Sequence, residues 1–173
     1  AVGTTALDAV TTGDFNVAVG YDALTSNTSG HENTASGDSV LFSNIEGNRN
    51  TAIGGFGLYE NTTGNGNTAS GYGALYKNIS GDNNTASGRF ALYSNTKGEH
   101  NTASGYDALS TNTTGSYNTA IGYDADVGSV DLTNATAIGY DAKVTVSNTV
   151  QLGNISVTNV KTSGSVTAGA ITI

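Results

Sequence analysis

The sequence predicts an all-β parallel solenoid, and three observations carry the prediction. A motif recurs every 17 residues, glycine and leucine stay in phase with it, and the Gly- and Asn-rich composition opposes helix throughout. Pentapeptides starting at Asn16, Asn33, Asn50, Asn67, Asn84, Asn101, Asn118 and Ala135 follow one another at this spacing. Their glycines form the series Gly20, Gly37, Gly54, Gly71, Gly88, Gly105, Gly122 and Gly139, with Gly3 one period upstream. Gly153 follows Gly139 after 14 residues rather than 17, so ten glycines mark ten expected units.

In register, a unit reads Asn-Thr-Ala-Ser/Ile-Gly-Tyr-Asp-Ala-Leu-x-x-Asn-Thr-Thr-Gly-x-x, and its positions are numbered 1 to 17 below. Position 9 holds Leu7, Leu24, Leu41, Leu58, Leu75, Leu92 and Leu109. Position 12 holds Asn27, Asn44, Asn61, Asn78, Asn95 and Asn112, and position 15 holds Gly13, Gly30, Gly47, Gly64, Gly81, Gly98 and Gly115. Disordered, low-complexity chain has no reason to hold leucine in phase with glycine. Seventeen residues are too few for a helix pair but suit one coil built from short strands and tight turns. Strands are expected at Thr-Ala-Ser/Ile-Gly and again along Tyr-Asp-Ala-Leu. Glycine supplies positive φ at the turns, and asparagine tolerates it while bonding local backbone. Coils stacked ~4.8 Å apart give a rod of roughly 48 Å, with Asn and Thr ladders along its side.

One leucine and two alanines per coil, such as Ala103, Ala108 and Leu109, form the expected apolar core. Their burial yields only about 3–4 kcal/mol per coil, whereas ordering 17 residues costs on the order of 17–30 kcal/mol. So thin a core, with small side chains on one strand face, points to a homo-oligomer whose protomers share it.

Composition excludes several function classes. Charged residues are 12% of the chain and the formal net charge is −8. Six scattered Lys and Arg residues make no basic stripe for phosphates, which excludes nucleic acid as a partner. No apolar run approaches the ~18 residues of a membrane span, so membrane insertion is not expected. With no cysteine there is no disulfide, thiolate nucleophile or Cys-ligated metal. His31 and His100 lie four coils apart at different unit positions, and no Ser or Thr has a histidine placed to activate it. No enzyme and no cofactor are expected.

The segment Asn118–Ala125, nearly repeated at Ala135–Ala142, resembles the head repeats of trimeric autotransporter adhesins. Those heads are left-handed parallel β-rolls with three chains packed side by side. Their coils match the shorter Ala135–Asn148 unit best, and the 17-residue units depart from it by a longer turn. Such longer repeats also resemble those of bacterial surface proteins and phage-type tail fibres that end in a self-cleaving chaperone. The resemblance covers residues 1–153. It implies a homotrimeric fibre segment at the cell or virion surface, giving multivalent attachment to a surface glycan or protein receptor. Residues 154–173 break the period and read as an irregular β tail or neck leading to a further C-terminal segment. The start in mid-motif at Ala1 likewise reads as a piece of a longer protein.

Candidate ligand contacts are Phe42, Tyr59, Tyr76 and Tyr93 at position 10. Rings there trade with position 6, where Tyr21 and Tyr106 accompany Thr25 and Ser110, while Tyr72 and Tyr76 fill both positions of their unit. Either each coil needs one ring to cover an apolar patch, or the rings form a ladder that stacks on sugars. Variable turn residues, such as Lys77, Glu99, His100 and Tyr117, are further candidates. Asp22, Asp107, Asp124 and Asp141 share position 7, where a threefold axis would gather carboxylates for a cation. The column Thr34, Thr51, Thr68, Thr85, Thr102, Thr119 and Thr136 raises an ice-binding alternative, which the neighbouring asparagines would crowd. Asn27, Asn61, Asn78, Asn112, Asn134 and Asn154 head Asn-x-Ser/Thr triplets, read as turn asparagines or glycosylation acceptors.

Overall fold

The computed structural model describes residues 1–159. Its strands are β1 (Val17–Val19), β2 (Thr34–Ser36), β3 (Thr51–Ile53), β4 (Thr68–Ser70), β5 (Thr85–Ser87), β6 (Thr102–Ser104), β7 (Thr119–Ile121), β8 (Asp126–Val127), β9 (Thr136–Ile138), β10 (Lys143–Val144) and β11 (Val150–Leu152). All but β8 and β10 form one nine-stranded parallel sheet in sequence order. Thr34 pairs with Thr51, Thr51 with Thr68, and so on up the sheet. Together with a bridge from Val2 to Val19, this makes a parallel solenoid of about eight turns at 17-residue spacing. The final step, Thr136 to Val150, is 14 residues.

Each strand follows the two-residue period of extended chain. The central alanine of a strand such as Thr85–Ser87 points inward and is buried, while its flanking residues face out. Inside, Ala18, Ala35, Ala52, Ala69, Ala86, Ala103 and Ala120 meet Leu24, Leu41, Leu58, Leu75, Leu92 and Leu109, all at most 1% exposed.

The expected second strand along Tyr-Asp-Ala-Leu is not there in the coils that carry the position-9 leucine. Positions 7 and 9 are left-handed, as at Asp107 (φ 52) and Leu109 (φ 50), and the segment turns instead of extending. It still bonds between coils: Leu58 N–H donates to Ala74 O at 3.0 Å, and Phe90 N–H donates to Tyr72 O at 3.0 Å. Only β8 and β10 make a second parallel pair, where Asp126 and Lys143 replace the position-9 leucine.

The asparagines expected along the side of the rod are inside it. Asn27, Asn44, Asn61, Asn78, Asn95 and Asn112 are fully buried, and so are Asn33, Asn50, Asn67, Asn84, Asn101 and Asn118. At position 12, Asn61 Nδ2 donates to Asn44 Oδ1 at 2.8 Å and to Gly64 O at 3.0 Å. At position 1, Asn50 Nδ2 donates to the same Gly64 carbonyl at 2.8 Å, and Asn50 Oδ1 accepts from Asn67 N–H at 2.9 Å. Two ladders thus converge on one carbonyl per coil. Among the described residues no buried side-chain nitrogen or oxygen lacks a partner. The interior closes within one chain, so association does not depend on a missing core.

The glycines at the two recurring sites leave no room for a side chain. A Cβ on Gly105 (φ 141) would run into the Gly122 carbonyl of the next coil. One on Gly81 would strike the Gly98 carbonyl and lie 2.5 Å from Asn78 Oδ1. The position-5 series continues through Gly139 (φ 115) to Gly153 (φ 72), where the coil shortens.

Of the tail, Asn154–Asn159 carries no strand, and Val157 N–H closes a turn onto Asn154 O at 3.1 Å. The remaining tail valines and isoleucines, Val160, Val166, Ile171 and Ile173, lie outside the described residues.

Candidate functional site

Three outward columns carry the candidate chemistry. The first is the sheet face. Thr34, Thr51, Thr68, Thr85, Thr102, Thr119 and Thr136 align in register on its outer side. Because the position-1 asparagines beside them are buried, they do not crowd this plane. The other outward row, at position 4, is apolar towards both ends and small in the middle. Val19, Ile53, Ile121 and Ile138 are 39–51% exposed, and Ser36, Ser70, Ser87 and Ser104 lie between them.

The second column is aromatic. Phe42, Tyr59, Tyr76 and Tyr93 stack face to face, with centroids 5.1, 5.0 and 5.2 Å apart and planes within 20° of parallel. Phe56 and Phe90 at position 7 meet Tyr59 and Tyr93 at an angle, and they link this stack to Tyr72 at position 6. The position-6 column resumes as Tyr106, Tyr123 and Tyr140 at 5.2 and 5.6 Å. Burial, and then Tyr59 and Tyr93 beside it, push the Tyr76 phenol above its ordinary range. Stacking occupies the ring faces within the column, so a sugar could not lie along it. Only the two terminal rings, Phe42 and Tyr93, keep a face that no column neighbour covers.

At the Tyr93 end, position 10 of the next coil is Ser110, and a cleft of about 530 Å³ opens there. Phe90, Tyr93, Asp107, Ser110, Thr111 and Thr113 are among its lining. Burial, followed by repulsion from Asp124, holds the Asp107 carboxyl above the usual carboxylate range. Asp126 lies behind the cleft, 1% exposed. It accepts from Thr111 N–H at 3.2 Å and Ser110 Oγ at 3.3 Å through Oδ2, and from Val127 N–H at 2.8 Å through Oδ1.

The remaining candidates are dispersed. His31 Nδ1 accepts from Asp14 N–H at 2.9 Å, and His100 stacks on Tyr117 at 5.0 Å. Lys143 lies between two position-7 carboxylates, 2.9 Å from Asp124 and 3.9 Å from Asp141. Among the described residues no three His, Cys, Asp or Glu side chains gather as a metal-binding set. Lys77 reaches the ring of Tyr93 at 5.3 Å, while Glu99 is exposed in its turn. The triplet asparagines Asn27, Asn61, Asn78 and Asn112 are buried and bonded, which overturns their reading as glycosylation acceptors. No helix among the described residues is long and apolar enough to cross a membrane.

The sequence reading missed the cleft because it is made by an omission, the serine that follows four rings at position 10. That break in the column was its one visible signal. Compared with protein-family models, curated proteins and solved structures, the chain finds no match.

Proposed function

We propose that this chain is a structural and adhesive segment of an extracellular homotrimeric fibre, with left-handed coils, displayed on a cell or virion surface. The observation that carries the reading is the outer face of the nine-stranded sheet. Val19, Ile53, Ile121 and Ile138 stand exposed in one column of that face, with Ser36, Ser70, Ser87 and Ser104, small enough for close approach, between them. Apolar rows of this kind mark association surfaces. Three copies packed by this face around one axis bury the row and leave the aromatic and turn columns pointing outward. A rod that presents three equivalent outer faces binds multivalently, so weak contacts gain through effective concentration.

The in-register threonine column favours a second reading, an ice-binding face. One experiment separates the two: light scattering on a sizing column, with thermal hysteresis measured on the same sample. A mass three times the 17.4 kDa chain, without hysteresis, is the expected result. A 17.4 kDa monomer overturns the trimer. Hysteresis lost on Thr85→Lys and Thr102→Lys would establish the ice-binding face instead.

A further inference from the structure

We infer that the cleft beside Tyr93 binds a neutral pyranose ring, which takes the place of the absent fifth rung of the position-10 aromatic column. Rungs in this column repeat at 5.0–5.2 Å, and then the next residue in register, Ser110, has no ring. The space left is about 530 Å³, within the ordinary range for a small-ligand site. Its floor is aromatic: Tyr93, the last ring of the column, with Phe90 set against it at 79°. Arg89 braces that floor, 4.2 Å from the Phe90 ring and donating to the Tyr106 hydroxyl at 3.1 Å.

The polar rim is rich in acceptors. Thr111 Oγ1 donates its proton to Val127 O at 3.0 Å, and Ser110 Oγ donates to Asp126. Both hydroxyls therefore present lone pairs to the cleft, alongside the carboxylate of Asp107. A ligand that satisfies such a site has one apolar face and a belt of hydroxyl donors, which describes a neutral sugar ring. An aromatic ligand would leave the acceptors without donors, which disfavours it. An acidic sugar would meet Asp107 as a like charge. The cleft is lined from positions 7, 10, 11 and 13, away from the sheet face, so this inference does not rest on the trimer.

The test is saturation-transfer NMR on the full chain with methyl β-D-glucopyranoside, methyl β-D-galactopyranoside and methyl α-D-mannopyranoside. Transfer to the ring C–H protons of at least one sugar is expected, with amide shifts at Tyr93, Ser110 and Thr111. Ser110→Tyr supplies the fifth ring and is expected to weaken binding at least tenfold while melting is not lowered. Asp107→Asn leaves the slot open and is expected to weaken binding about tenfold, the worth of a charged hydrogen bond. Thr25→Tyr, at the Phe42 end of the column, should leave binding unchanged. Absence of transfer from all three sugars, or equal binding by the chain and by Ser110→Tyr or Asp107→Asn, overturns the assignment. A monomeric mass would overturn the fibre and leave the cleft standing.

Discussion

Asn78 donates to Asn61 Oδ1 at 2.7 Å and to Gly81 O at 3.0 Å, and its own Oδ1 accepts from Asn95 at 2.9 Å. Asn78→Ala strands one buried acceptor below and one buried donor above. At about 1–3 kcal/mol for each stranded group, we expect a loss of about 3 kcal/mol or more, read by denaturant unfolding. The leucines were legible as core in the sequence because an apolar residue kept in phase has little else to do. The asparagines were kept in phase as strictly, yet their usual place in solvated turns hid their role. The distinguishing sign was that position 12 stayed Asn through six units while position 14 ran through Ser, Glu, Thr and Lys. Left-handed leucine was illegible for a related reason. Bulky residues avoid φ > 0, yet Leu75 stands at φ 53 with its N–H bonded to Ala91 O of the next coil (3.0 Å) and its side chain buried.

At the scale of elements, the strand at positions 2 to 4 was readable from Thr-Ala-Ser/Ile, since its small inward alanine and outward Thr fit a pleat. The segment at positions 6 to 9 was misread as strand because its bends come from stacking rather than from local propensity. Where the leucine column stops, β8 and β10 restore extended chain and bring in Asp126. Burial raises the Asp126 carboxyl above its ordinary 3.8, against the lowering effects of the Val127 N–H and of Lys143. A raised folded-state value means the folded chain binds its proton more tightly than the unfolded chain. The Asp126 contribution to stability is therefore full in acid and declines as pH rises past the ordinary carboxylate range. It levels off once the folded carboxyl has ionised. Asp126→Asn should flatten that decline, measured as melting temperature against pH in both proteins.

At the scale of the whole molecule, each coil touches mainly its neighbours, so stability is close to a sum of coil and interface terms. Removing residues 67–83 joins Gly66 to Asn84 with every column still in phase. We expect a folded rod shorter by one rise of ~4.8 Å, with an unchanged type of β circular dichroism spectrum. Removing only 67–82 shifts the columns by one residue, turns inward side chains outward, and should abolish cooperative melting.

The buried amides also give the rod a direction. In the position-12 column every amide between Asn44 and Asn112 sends its N–H towards the N-terminal coil and its C=O towards the C-terminal one. The position-1 carbonyls point the same way, each accepting from the coil above. Aligned dipoles add, as they do along an α-helix. The asparagine columns therefore carry a vector of their own, its positive pole towards the N-terminal end, set against backbone N–H groups that point both ways between coils, such as Leu58 to Ala74 O and Gly54 to Ser36 O.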